Sequence, residues 1–579
     1  MKVIVAETGG FCMGVKRAMD MILKATQENP GDDIICTFGP LIHNRQVLEM
    51  LSKKGVRVVE SSEECAGKTV LIRAHGIPPD QRKKLKSVAK KLLDATCPRV
   101  ARVQALIRRH ARKGYLPIIV GDPEHAEVRG LMGYSEGKGI VINKVEDVAD
   151  LPDTEKVLVV AQTTQNEKTF NEIVDAIKEK YKNVEVYNTI CGSTHQRQEE
   201  VKRMANKVDA MVVVGGYHSG NTIRLAEIAR QCGLPTFHVE TEKELDVEKL
   251  ASFETIGVTA GASTPSWMIR RVVEVLESFT HKDSALYHHA LFKCLRMLLN
   301  VNVVVSCGAG ILSYVAASIA GSVRSFPFAL MSALYVFAMH TINRYTDKAS
   351  LRLREPEQAA FYEKWYVPLC STSALAVLLS LYIAYLGGKL VFFLMFLIST
   401  LGLLYNVPII RSDKNILSHI NKLKDIPGSK TLFVAGAWGA VTSIIPDIAQ
   451  GTFSFLASSY AFLLISLMVY VRTAIFDLLD IQGDTIVGKE TIPVFIGESK
   501  TKYLLGGLIV LTIVLVATGT LTEVVTGYTW CIIPSVIVLA ACLLIYRNRI
   551  LLPGTLFEAL VESFAYLAGA MTAICKLFS

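Results

Sequence analysis

The sequence predicts a two-part fold. An α/β soluble half of three similar α/β units around a pseudo-threefold axis is followed by an all-α membrane bundle of about nine transmembrane helices. Three observations predict it. Charge is unevenly spread: residues 301–579 carry 19 Lys+Arg and 15 Asp+Glu, against 43 and 38 in residues 1–300. Long apolar runs crowd the poorly charged half. The other half repeats itself, with Cys12, Cys97 and Cys191 spaced 85 and 94 residues apart, each just before a helical pattern.

Composition narrows the function. At 579 residues and 51% hydrophobic, the chain is neither disordered nor one soluble domain. The net charge of +9 sits largely in short loops between apolar runs, so a membrane explains it and no nucleic-acid partner is expected. Twelve cysteines are too few for a disulfide scaffold. The N-terminus reads as a short buried strand, not a signal peptide, which predicts a cytoplasmic first half with reduced thiols.

In the soluble half, helical patterns are expected over 15–25, 100–113 and 197–208. Each leads to an apolar strand ending in glycine, over 34–38, 116–120 and 210–214. Four residues past each glycine stands a polar group: His43, His125 and Ser219. A further strand in each third leads to another, namely His75, Thr163 and Ser263. Strand ends of parallel sheets are where ligands bind. A pseudo-threefold axis would bring the three thiols together, each favoured as thiolate by a helix N-terminus. Three thiolates fall one short of the four that hold an electron-transfer cube, so one iron would keep an open position for substrate. Three imidazoles with Ser219, Asn221, Ser263 and Thr163 suit a diphosphate, and Glu127, two past His125, is the expected proton donor. Cys36, Cys65 and Cys232 show no repeat and are expected to pack; His110, His195, His218 and His238 are expected to be ordinary core or surface residues.

The motifs in this half are Gly10-Phe11-Cys12-Met13-Gly14-Val15, Arg73-Ala74-His75-Gly76-Ile77-Pro78, His125-Ala126-Glu127, Thr189-Ile190-Cys191 with Arg197-Gln198, and Thr259-Ala260-Gly261-Ala262-Ser263. Residues 1–280 thereby resemble the 4-hydroxy-3-methylbut-2-enyl diphosphate reductases (the IspH, or LytB, family). The resemblance implies a [4Fe-4S] cluster on Cys12, Cys97 and Cys191. It also implies a diphosphate held by His43, His75, His125, Ser219, Asn221 and Ser263, a proton from Glu127, and a route for that proton ordered by Thr163 rather than Thr164. Gly220 stands where the family usually has a second serine, and its backbone N–H would serve instead. The implied reaction is reductive removal of an allylic hydroxyl, giving isopentenyl and dimethylallyl diphosphate. No dinucleotide fingerprint is present, so electrons are expected from a separate ferredoxin or flavodoxin.

Nine apolar runs follow, near 298–321, 326–342, 365–386, 390–410, 431–449, 453–474, 503–522, 527–546 and 555–577. With the first half cytoplasmic, the inner connections carry sixteen basic residues, and the outer side only Arg324, Lys389 and Lys576. The chain is therefore expected in the bacterial inner membrane, multi-pass, with its reductase domain cytoplasmic. Loops after the second and sixth runs hold Asn343 and Asp347, then Asp477, Asp480 and Asp484. Crowded carboxylates call for a cation, and hard oxygen ligands suit Mg²⁺. Residues 285–579 thereby resemble the UbiA superfamily of intramembrane prenyltransferases, implying Mg²⁺-dependent prenyl transfer from an isoprenoid diphosphate to an unnamed acceptor. The position four past Asp347 is Leu351, not an acid.

The expected domains are thus a reductase at 1–281, a linker at 282–297 and a transferase at 298–579. The competing readings are a reductase on a degenerate membrane anchor or lipid-binding scaffold, and a membrane iron–sulfur sensor of diphosphates.

Overall fold

The computed structural model describes residues 2–28, 34–280, 286–323, 325–346, 351, 356–405, 428–481, 484, 491–547 and 554–578. Two compact units comprise Met1–Asp283 and Ser284–Ser579.

The first unit contains twelve strands: β1 (Lys2–Val5), β2 (Ile35–Phe38), β3 (Val56–Val59), β4 (Thr69–Ile72), β5 (Lys91–Asp94), β6 (Leu116–Val120), β7 (Ile140–Ile142), β8 (Val157–Ala161), β9 (Val184–Tyr187), β10 (Ala210–Val214), β11 (Thr236–Val239) and β12 (Thr255–Ala260). They form three parallel sheets of four, ordered β3-β2-β4-β5, β7-β6-β8-β9 and β1-β12-β10-β11. Numbered within its own lobe, each sheet runs second-first-third-fourth. In the last sheet the fourth strand is β1, which pairs Ile4 with Gly257 and Val5 with Val258. The chain's first strand thus completes its last lobe.

Ten helices connect and cover these sheets: α1 (Met13–Glu28), α2 (Arg45–Lys53), α3 (Pro79–Val88), α4 (Pro98–Ala111), α5 (Ala126–Met132), α6 (Glu167–Lys180), α7 (Gly192–Ala205), α8 (Gly220–Gln231), α9 (Val247–Leu250) and α10 (Ser266–Thr280). Central strands are continuous apolar runs because helices cover both faces of a parallel sheet; all five residues of β8 are buried. Caps fix where helices begin. The Asn44 side chain accepts from Val47 N, and that of Asn166 from Lys168 N. Cys36 and Cys65 are buried as expected, but Cys232 is exposed at the end of α8, where the chain turns out to solvent.

In the second unit, eight described helices are long and apolar enough to cross a membrane. A shorter apolar helix, Lys389–Leu404, stands where the fourth run was expected. That run's expected end, 405–410, lies mostly outside the described residues. The first expected run is interrupted: one helix ends at Asn300 and the next begins at Val303, with Asn302 between them in the left-handed region at φ 60°. Asn302 is buried and donates to Thr341 Oγ1 (3.1 Å) and Tyr362 OH (3.0 Å), which fastens the break to two other helices. Much of the expected linker is helical, over Leu286–Asn300. Small residues let helices approach: a Cβ on Gly310 would lie 3.1 Å from Ala329 O. Arg472 and Glu562 form a buried ion pair inside the bundle, with the guanidinium 4.8 Å from the Phe476 ring centre and 5.7 Å from that of Trp438. Charges this deep in a bundle persist only when paired.

Phe170 of α6 fills the core between β6, β8 and its own helix, beside Ile118, Val159 and Ile173. Phe170→Ala is expected to destabilise this lobe by about 3–5 kcal/mol. Hydrogen exchange in the full chain would then quicken at β6 and β8, with the transmembrane helices unchanged.

Candidate active site

Each of the three repeated cysteines sits between the fourth strand of a lobe and the helix leaving it. Cys97 and Cys191 cap α4 and α7, and Cys12 immediately precedes α1. Their backbone amides make the same bond three times. Cys12 N donates to Ala262 O (3.1 Å), Cys97 N to Ala74 O (2.9 Å) and Cys191 N to Thr163 O (2.9 Å). The acceptors lie in the turns that carry Ser263, His75 and Thr163, so one interaction ties each thiol to the polar group of its own lobe.

The thiols sense one another. Burial first, then the Cys12 and Cys191 sulfurs, push the Cys97 thiol up, while the Arg99 and Val100 amides at the start of α4 pull it down. A Cβ on Gly14 would lie 2.8 Å from Cys97 Sγ, so glycine lets α1 close on that sulfur. Two residues of α7 given no role from the sequence clamp the Cys12 loop: Arg197 donates to Gly10 O (2.6 Å), and Glu200 accepts from Thr8 N (2.9 Å). Their spacing of three on the helix that starts at Cys191 is the signal that was available.

His43, His75 and His125 converge. Their ring centres lie 4.9, 5.7 and 5.4 Å apart, and one nitrogen from each falls within 4.8 Å of the others. Burial, Arg73 and His218 lower the His43 pKa. Burial and the two neighbouring imidazoles hold His75 well below the usual histidine range. Burial, then His43, brings His125 down to about 4. All three are neutral near pH 7. Around them Ser263 Oγ lies 3.3 Å from Ser219 Oγ, and a Cβ on Gly220 would stand 3.4 Å from His125 Nε2. His43 Nε2, His75 Nδ1 and both side-chain polar atoms of Asn221 are buried without a hydrogen-bond partner. Orphaned polar atoms of this kind call for a ligand. A metal ion would use the three imidazoles alone, whereas an oxyanion also takes hydroxyl and amide donors.

Glu127, 2% exposed, lies against this pocket at the start of α5. Thr163 N and Thr163 Oγ1 donate to its two oxygens, both at 2.7 Å, and Glu127 N donates to His125 Nδ1 (3.2 Å). Burial raises its pKa against the pull of Thr163. Thr163 is thus the threonine that touches Glu127; Thr164 Oγ1 instead accepts from Gln162. The histidines set aside are accounted for: His110 bonds Leu106 O and Glu185, His195 bonds Glu167, His238 bonds Gly215 O, and His218 lies near enough to His43 to influence it.

In the second unit the acidic motif departs from expectation. The sixth span continues to Leu479, so Asp477 lies in the helix and not in a loop. It is buried, and its two oxygens accept from Lys430 Nζ (2.8 Å) and Thr431 Oγ1 (2.7 Å), which accounts for a carboxylate at that depth. Asp480 ends the helix, and Asp484 N bonds Asp480 O (2.8 Å). Asn343 lies near the end of its own helix, Phe326–Thr346, while Asp347 lies outside the described residues. Among the described residues these acids do not gather into a metal-sized cluster, as His43, His75 and His125 do.

Three parallel sheets, a cysteine at the start of the helix leaving each, and a buried imidazole pocket define a three-lobed α/β protein. Residues 3–277 match the family described as LytB protein, and the chain belongs to the LytB family. It is 43% identical over 273 residues to the 4-hydroxy-3-methylbut-2-enyl diphosphate reductase of Aquifex aeolicus, covering 47% of this chain and 94% of that one. The reductase of Opitutus terrae is 43% identical over 290 residues, 48% of this chain and 100% of its own. Among solved structures, an (E)-4-hydroxy-3-methyl-but-2-enyl diphosphate reductase is 42% identical with a TM-score of 0.39, covering 48% of this chain and 99% of its own. A UbiA homologue from Aeropyrum pernix is 16% identical with a TM-score of 0.38, covering 47% of this chain and 98% of its own.

The donor set fits the iron–sulfur cluster that the family implies. Three thiols at the starts of three helices, near enough for Cys12 and Cys191 to act on Cys97, are the soft anionic donors such a cluster takes.

Neutral imidazoles link anion binding to protons. A bound anion raises their pKa, so affinity is greatest at low pH and is lost as pH rises through the ligand-bound values. Calorimetry with pyrophosphate between about pH 6 and 8 is expected to show proton uptake, reduced in His125→Gln. Binding without proton uptake would mean that the imidazoles do not meet the anion.

Proposed function

We propose that residues 1–281 reduce 4-hydroxy-3-methylbut-2-enyl diphosphate to isopentenyl and dimethylallyl diphosphate. The observation that carries this reading is the thrice-repeated bond from cysteine amide to turn carbonyl, which joins the three thiols to a buried imidazole pocket and the Glu127 carboxyl. The relatives named above supply the substrate.

In this reading the diphosphate oxygens occupy the orphaned donors of His43, His75 and Asn221, with His125, Ser219, Ser263 and the Gly220 N–H completing the grip. That anchor holds the allylic end beside the thiols and keeps water out. Cys12, Cys97 and Cys191 would hold a [4Fe-4S] cluster, which would supply single electrons. The balance is one allylic alcohol, two electrons and two protons in, one alkene and one water out. Glu127, whose pKa burial raises, gives the proton that lets the hydroxyl leave as water, and Thr163 fixes its orientation. The second proton reaches either end of the allyl group, which accounts for two products. Ferredoxin or flavodoxin supplies the electrons.

The membrane unit, at 298–579, is read as a prenyltransferase of the UbiA type. Asn343, Asp347, Asp477, Asp480 and Asp484 would take Mg²⁺, and the chain would lie in the bacterial inner membrane with residues 1–281 on the cytoplasmic side. One observation favours a second reading, an anchor without turnover: Asp477 is already matched by Lys430 and Thr431.

The test uses the full chain assembled without oxygen in detergent. Glu127→Gln is expected to lower kcat by about 10²–10⁴ while cluster absorbance and pyrophosphate binding stay. Full turnover in that variant would overturn the proton assignment; a loaded wild type with no turnover would overturn the reductase. Asp480→Ala is expected to leave reduction intact and abolish prenyl transfer from a diphosphate. Absence of transfer in the wild type as well supports the anchor.

A further inference from the structure

One cation beside the imidazole pocket has no part in the reading above. Arg73 follows β4, two residues before His75, and is half-buried. Its guanidinium lies between the segments that carry His43 and His75. On one side a Cβ on Gly39, four residues before His43, would stand 2.7 Å from Arg73 Nη1. On the other, Arg73 Nε donates to the carbonyl of Gly76, the residue after His75 (3.5 Å). Among the described residues this is the one hydrogen bond of the side chain, and no carboxylate forms an ion pair with it. Exposed Glu60 attracts it from a distance, and exposed Arg129, itself paired with Glu124, repels it. Asp122 and Arg129 act on His125, and His218 acts on His43, but the charge of Arg73 is common to His43, His75 and His125.

A half-buried cation without a counter-ion is costly, and this one also opposes positive charge on the imidazoles around it. The cost is recovered when an anion enters. A guanidinium stays charged at any working pH and offers several N–H donors to phosphate oxygens. We propose that Arg73 is a binding residue for the anion in the imidazole pocket, and that its fixed charge makes the pocket prefer a diphosphate to a monophosphate. The inference deepens the reductase reading and rests on it. His43, His75, His125, Ser219, Asn221 and Ser263 bring directed hydrogen bonds; Arg73 brings charge. Preference for the more highly charged anion then follows from Coulomb's law, since each added negative charge gains from a fixed cation and a neutral donor discriminates less.

The test is calorimetry on the full chain in detergent with two probes, pyrophosphate and inorganic phosphate. Chelator replaces Mg²⁺, so that the acids of the membrane unit hold neither probe. Arg73→Gln is expected to weaken pyrophosphate by about tenfold or more at low salt, to weaken phosphate less, and to flatten the salt dependence. Arg73→Lys, which restores the charge, is expected to recover most of the affinity and of the salt dependence. Arg73→Met keeps an apolar stem against Gly39 and replaces the Gln variant if that one does not fold. Unchanged pyrophosphate affinity in the neutral variant would overturn the proposal. So would equal losses in the neutral and Lys variants at an unaltered salt dependence, which would make Arg73 a wedge between two turns. Wild-type protein that binds no pyrophosphate would sink the diphosphate reading of the whole pocket as well, so the two failures are told apart.

Discussion

Three backbone hydrogen bonds hold the first unit's chemistry together. Cys12, Cys97 and Cys191 each donate their amide to a carbonyl in the turn after the third strand of their lobe. Without this bond a thiol and the polar groups of its lobe would belong to separate loops. With it, the three sulfurs and the imidazole pocket become parts of one frame. Backbone bonds suit this purpose because they fix positions without using up a side chain needed for chemistry. The frame also depends on β1, which crosses from the start of the chain to complete the last sheet and brings Cys12 into line with the other two.

The pocket beside that frame is shaped by desolvation. Burial lowers the pKa of His43, His75 and His125 and raises that of Glu127. One physical cause moves the two residue types in opposite directions, because in each it disfavours the charged form. Thr163 belongs to both parts: its carbonyl holds Cys191 and its N–H and hydroxyl hold Glu127.

The second unit meets the opposite problem, since charge within a bundle must find a partner. Arg472 finds Glu562, and Asp477 finds Lys430 and Thr431. The latter pairing explains why the sixth span runs past the point where hydropathy ends it: a carboxylate already matched can stay helical and buried. Asn302 does the reverse, interrupting an apolar run near its start, where its side chain reaches two other helices.

Much was legible in the sequence because it is local. Apolar runs marked the strands, helical periods marked α1, α4 and α7, and cysteines at nearly equal spacing marked the repeat. His43 and His125 were singled out by their distance from glycines and His75 by its place after a further strand, and they converge. What only the tertiary structure decided joins residues far apart in the chain: the closing of the last lobe by β1, the grip of Arg197 and Glu200 on the Cys12 loop, the hold of Thr163 on Glu127, and the break at Asn302. The physical reason is common to all. Periodicity records which side of an element is dry, whereas a hydrogen bond or a shifted pKa depends on which partner arrives from elsewhere once the elements have packed.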